Sequence, residues 1–134
     1  MIRKLMLILL CIYIFVACNS TVPPIANIQN EQEGTHWELK FMVDQELLMN
    51  RAITLNIDSD MLSGSAGCNS YFITYTPQSE IQTTLMLCSP ENIMKQETQY
   101  ISTLAKVNNY RVENTELFLL DNKGKVLLQY YRTQ

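Results

Sequence analysis

Apolar and polar positions between residues 35 and 131 fall into short alternating runs, interrupted by one segment of a different period. Thr35–Val43 sets Trp37, Leu39 and Phe41 on one face, and Ala52–Ile57 does the same with Ile53, Leu55 and Ile57. A period of two belongs to half-buried strands. Asp58-Ser59-Asp60 is a turn, and Met61–Gly64 begins the next strand. Gly64 and Gly67 flank a passage of small residues that predicts a bend, a bulge or a close backbone approach. Tyr71–Thr76 resumes with Tyr71, Ile73 and Tyr75 in phase, Pro77-Gln78-Ser79 turns the chain, and Ile81–Cys88 is a further strand. Then the spacing becomes helical at Ile93, Tyr100, Ile101, Leu104 and Val107. Ser89 suits the cap, Pro90 the first helical position and Glu91 the first turn, where a carboxylate meets the positive end of the helix dipole. Asn108-Asn109 ends the helix. Tyr110–Glu113, Glu116–Leu120 and Lys125–Tyr131 close the chain, the last two joined by the hairpin signal Asp121-Asn122-Lys123-Gly124.

Strands in runs, not alternating with helices, indicate an antiparallel sheet. The predicted fold is mainly β (α+β): a barrel-like sheet of about eight strands, with one helix after the fifth covering an edge or plugging an end.

The chain ahead of this domain has another character. Arg3 and Lys4 precede an apolar run from Leu5 to Ala17, the layout of a secretory leader. The run is shorter than the roughly 20 residues a membrane span needs. It ends Phe15-Val16-Ala17-Cys18-Asn19-Ser20, a small residue followed at once by Cys. This resembles the bacterial lipobox, although Phe15 stands where Leu is usual. The resemblance implies cleavage before Cys18 and lipidation of its thiol; the alternatives are an ordinary leader cut elsewhere or a short anchor. Asn19 in place of Asp favours the outer membrane, by analogy with the enteric sorting rule. The segment NSTVPPIANIQNEQEG is polar, contains Pro23-Pro24 and shows no clear period, so it reads as a tether. The expected organisation is a leader at 1–17, a lipidated N-terminus and tether at 18–33, and a single domain at 34–134 of about 100 residues.

Composition changes this picture in two places. Loss of Arg3 and Lys4 with the leader takes the formal net charge from −3 to −5 and leaves no basic run, which argues against a nucleic-acid partner. Of the four cysteines, Cys11 leaves with the leader and Cys18 is the lipidation candidate, so Cys68 and Cys88 remain. In an oxidising compartment an isolated pair suggests a disulfide; two buried free thiols are the alternative. A single His and no Cys-x-x-Cys pair argue against zinc, and no cofactor is expected.

Several short motifs follow one another in order: Trp37-Glu38-Leu39, Gly64-Ser65-Ala66-Gly67-Cys68-Asn69, Thr84-Leu85-Met86-Leu87-Cys88, Glu97 in the helix, and Leu117-Phe118-Leu119 before Gly124. Together they resemble the META domain (HslJ-like) family over residues 34–131. Ile73 stands where that family often has Gly. The resemblance implies a small barrel-like β-sheet with a helix, and associates the chain with heat shock, novobiocin resistance and, in some organisms, secretion or motility.

Glu97 lies on the apolar face of the predicted helix, four residues from Ile93 and four from Ile101. A carboxylate facing a core needs a hydrogen-bond partner; the Gly67-Cys68-Asn69 bend is the structural candidate, a ligand the functional one. Asn69 could bind a ligand or satisfy its own bend. His36 has no catalytic partner at recognisable spacing, and Ser63, Ser65 and Ser70 form no nucleophile elbow. The expectation is therefore a non-enzymatic module, anchored in the bacterial envelope through a lipid on Cys18 and binding a protein or lipid. The alternative is a small hydrolase or protease-inhibitor-like protein with Glu97 and Asn69 in a polar pocket.

Overall fold

In the computed structural model the described residues are 25–134, apart from Pro77 and Gln78. The leader, Cys18 and the start of the tether lie outside them, as does most of the Pro77-Gln78-Ser79 turn. Strands β1 (Thr35–Met42), β2 (Thr54–Ile57), β3 (Met61–Ser65), β4 (Ser70–Thr74) and β5 (Gln82–Thr83) precede the long helix α2 (Glu91–Leu104). Strands β6 (Asn109–Glu113), β7 (Glu116–Leu120) and β8 (Val126–Arg132) follow it. All eight form one sheet in the order β5-β4-β3-β2-β1-β8-β7-β6, antiparallel at every pairing. The first and last strands in chain order meet in its centre. The sheet is barrel-like but does not close: β5 and β6 are its edges, and α2 carries the chain from one to the other.

The core fills the concave side. Trp37, Leu55, Ile57, Tyr71, Leu117, Leu128 and Tyr130 from the sheet meet Tyr100 and Leu104 from α2. The two-residue period holds along β2 and most of β4. It fails in β1, where Phe41 was expected beside Trp37 and Leu39. The register between β1 and β8 slips between Leu39 and Phe41, so one extra residue enters β1. That bulge reverses the alternation beyond it: Phe41 is 42% exposed and Met42 is buried in its place.

Three further expectations change. The tether reading gives way from Ile25 onward. Ile25–Asn27 is a 3-10 turn and Ile28–Gln32 a short helix, α1, which seats Ile28 in the core. The Ile25 N–H donates to the Asn108 carbonyl at 2.9 Å, and Gly34, at φ +75°, hands the chain to β1 by donating to Ile57. Two apolar residues three apart are too few to show a period, yet burying one isoleucine contributes about 1.5–3 kcal/mol. The expected strand Ile81–Cys88 shrinks to Gln82–Thr83, for a reason found in the Asn69 side chain below. The helix starts one residue later than expected: Pro90 is its N-cap, and no side chain caps it. Ile73, where the resembled family often has Gly, lies inside a continuous β4, paired with Leu62.

Candidate functional site

The passage from Gly64 to Asn69 turns β3 into β4 under tight constraint. A Cβ on Gly64 would collide with the Thr54 carbonyl, so β2 can approach β3 this closely only at a glycine. Gly67 adopts φ +103°, a conformation that side chains disfavour. The bend delivers Asn69 to the buried side, 2% exposed, opposite Glu97 on α2, 8% exposed.

These two residues are bonded to each other. Glu97 Oε2 accepts the Asn69 backbone N–H at 2.6 Å, and Glu97 Oε1 accepts from Asn69 Nδ2 at 2.7 Å. The same amide nitrogen donates to the Met86 carbonyl at 3.1 Å. Asn69 Oδ1 accepts from the Met86 N–H at 2.7 Å and from Thr84 Oγ1 at 2.8 Å. One asparagine thus joins the bend, the helix and the segment after β5. Hydrogen bonds to an ionised group are about twice as strong as neutral ones, and here they meet the requirement of a carboxylate out of water. This also explains the short β5. At Met86 the Asn69 side chain takes the N–H and carbonyl that a ladder would otherwise use, so 84–88 follows the sheet without joining it.

A disulfide joins Cys68 to Cys88, with Cα atoms 6.0 Å apart, and closes the same segment from its far end. Thr84 adds two more ties: its N–H donates to the Ser70 carbonyl at 3.0 Å, and its hydroxyl accepts from the Ser70 N–H at 3.1 Å. The backbone is held, but the side chains point outward. Leu85 is 93% exposed, Met86 56% and Leu87 96%.

A second polar array crosses the core. Tyr71 donates to the Thr54 carbonyl at 2.8 Å; its hydroxyl lies 2.7 Å from that of Tyr100, which lies 2.9 Å from that of Tyr130. The Tyr71 and Tyr100 rings meet edge-on at 5.5 Å, a favoured aromatic geometry. Burial is the main cause that holds all three phenols well above the ordinary value near 10, and mutual repulsion adds to it. Next to Glu97, Gln96 accepts from the Leu48 N–H at 2.7 Å, while its buried Nε2 has no partner among the described residues.

A groove of about 630 Å³ runs between α2 and the β5 edge, walled by Ser79, Ile81, Thr98, Ile101 and Ser102. Glu97 borders it; Asn69 does not line it. The two candidate residues are therefore together in the structure without sharing a pocket. His36 sits on β1 with Nδ1 2.8 Å from Asn56 Oδ1, and Ser65 accepts from the Gly67 N–H within the bend. Among the described residues no three His, Cys, Asp or Glu side chains gather as a metal site, and no helix is long and apolar enough to cross a membrane. The parts that sequence reading missed are Thr84, Gln96, the tyrosine array and the outward Leu85-Met86-Leu87 triplet. Tyr71 and Tyr100 did carry a signal: both occupy inward phases, where a buried phenol needs a partner.

This arrangement brings the Gly-Cys-Asn bend, the Thr84–Cys88 segment and Glu97 to one place. A family model for the META domain matches residues 27–134. The chain belongs to the META domain family. The matched span includes α1, in keeping with a META fold that begins ahead of β1. A solved structure, the NMR structure of a protein from Burkholderia xenovorans, superposes with a TM-score of 0.62 over 84% of this chain and 90% of that one, at 19% identity. At that identity the likeness is one of fold. No curated protein matches the sequence.

Proposed function

We propose that this META-domain protein is a non-catalytic module of the bacterial cell envelope, held at a membrane by a lipid on Cys18. It recognises a protein or lipid partner and supports tolerance of envelope stress; the outer membrane is the favoured location. One observation carries the reading. The carboxylate and amide that a hydrolytic mechanism would need bind each other and the backbone, with both Glu97 oxygens engaged by Asn69. A general acid or base must reach the substrate proton within hydrogen-bond distance, and this pair is oriented inward to hold the fold. Recognition then falls to the surface. The lipidation reading rests on the Ala17-Cys18 junction after an apolar leader, and acylation with two or three chains suffices for stable anchoring.

Envelope fractionation with in-cell crosslinking, followed by lipid analysis of the purified mature protein, tests the reading. The expected result is a membrane-fraction protein with a reproducible crosslinked partner or co-purifying lipid. Recovery of neither, together with a hydrolytic activity that Glu97→Gln abolishes while the fold persists, would overturn it.

A further inference from the structure

Three consecutive exposed apolar residues of the domain are held in an unusual way. Leu85 and Leu87 are almost fully exposed and Met86 is more than half exposed. Loops that show apolar side chains to water are commonly free to turn them inward. This one is tied down on each side of the triplet and at its centre: by Thr84 to Ser70, by Met86 to Asn69, and by the Cys68–Cys88 disulfide. The backbone at Met86 faces inward, which leaves the leucines directed outward. A rigid apolar protrusion lowers the ordering cost of whatever covers it.

We infer that the Leu85-Met86-Leu87 triplet inserts into the lipid surface to which the chain is anchored, as a second membrane contact beside the acyl chains. The inference rests on the lipid-anchored reading above and names the surface that the domain engages. Size points to lipid over protein. A stable protein interface uses about 20–30 residues on each side, whereas three side chains on one narrow segment suit a fluid acyl layer that needs no matching contour. Chain length places that layer within reach. From Cys18 to Ile25, where the described fold begins, a fully extended backbone spans at most about 25 Å. Ile25 lines the same cleft as Ile81, and four further residues to Leu85 cover at most about 14 Å. The tether of at most about 25 Å is longer than the run of chain from the far wall of that cleft to the triplet, which allows the domain to rest on the membrane by this side.

The test uses the full mature protein purified from membranes and reconstituted in phosphatidylethanolamine–phosphatidylcholine vesicles, with Leu87→Trp as reporter. Trp37, the one native tryptophan, is buried in the core and is subtracted with the wild-type protein. A thermal melt matching wild type confirms that the substitution leaves the fold intact. The expected result is a blue-shifted L87W emission and about a twofold loss of it in lipids brominated near the glycerol end of the acyl chain, the depth of about 5–10 Å at which interfacial apolar groups sit. Emission like that of an indole in water overturns the inference. So does a blue shift that brominated lipid fails to quench, because a second copy or another protein then covers the triplet. Mass analysis of the same preparation reads the anchor separately. Acylated Cys18 with an unquenched L87W refutes insertion alone; unacylated Cys18 refutes the anchored reading and the inference with it.

Discussion

The two halves of the sheet are stabilised by different means. On one side of β1, the strands β8, β7 and β6 pair over five positions at each junction. On the other, β3 with β4 also pairs over five positions, but β2 with β3 and β4 with β5 pair over only two each. Side chains supply what the ladder lacks there. Thr54 accepts from the Ser65 N–H, Tyr71 reaches the Thr54 carbonyl, Asn69 holds Met86 and Glu97, and a disulfide closes the edge. The contrast shows that strand length alone does not set stability. A short, bent, glycine-containing half can be ordered when a few buried polar groups are fully satisfied. It also concentrates risk, because losing one of those groups strands several others.

The largest effect should follow Asn69→Ala. The change removes the side-chain donor to a buried carboxylate and all three side-chain bonds to Thr84 and Met86, and it should cost about 3–4 kcal/mol in denaturant unfolding followed by circular dichroism. A loss below about 1 kcal/mol would show that water replaces the amide and that the short half does not depend on it.

Next comes the disulfide. The unreduced mature protein should show Cys68 linked to Cys88 by mass analysis, and reduction should lower stability by up to about 3 kcal/mol. Alkylation of both thiols without reductant would refute the bond. The long half has no comparable crosslink among the described residues, so hydrogen exchange on reduction should rise in β4, β5 and 84–88 and change little in β6–β8.

The tyrosine array joins the halves through Tyr71 and Tyr130, and it predicts a pH dependence. Unfolded tyrosines ionise near 10, whereas burial raises the phenols of Tyr71, Tyr100 and Tyr130 well above that value. The folded state therefore holds these protons more tightly. Its stability from them is fully present below pH about 10 and falls as pH rises beyond it. Tyrosinate absorbance should show these three tyrosines titrating together with loss of the fold; smooth titration of all six tyrosines that remain after Tyr13 leaves with the leader, within an intact fold, would contradict the burial.

The smallest effect belongs to the long half. Lys40 and Glu116 pair at 2.8 Å across the exposed face, and the lysine holds the Glu116 carboxyl below its usual value. Surface pairs of this kind contribute little. Lys40→Ala should leave the unfolding midpoint unchanged within error; a clear drop would mean that the long half also relies on side-chain ties.

The sequence by itself determined the order of the eight strands and the long helix, the mainly β class and the family, and it named the Gly-Cys-Asn bend as one candidate partner for Glu97. Those features are written in local spacing and in residue types that admit few environments: a carboxylate on an apolar helix face must find donors, and a Gly-rich passage between strands must bend. Only the tertiary structure decided that the sheet stays open, that Lys40 bulges and sends Phe41 to the surface, that Ile28 docks in the core, and that the Ile81–Cys88 run is barely a strand. Each of these depends on groups distant in the chain. The Met86 backbone is claimed by an asparagine 17 positions earlier, and α1 forms because the core has a place for one isoleucine. Alternation records which side of a strand a residue prefers. It does not record which partner competes for the backbone, so Leu85 and Leu87, which fall within the expected strand Ile81–Cys88, instead project from the domain's edge.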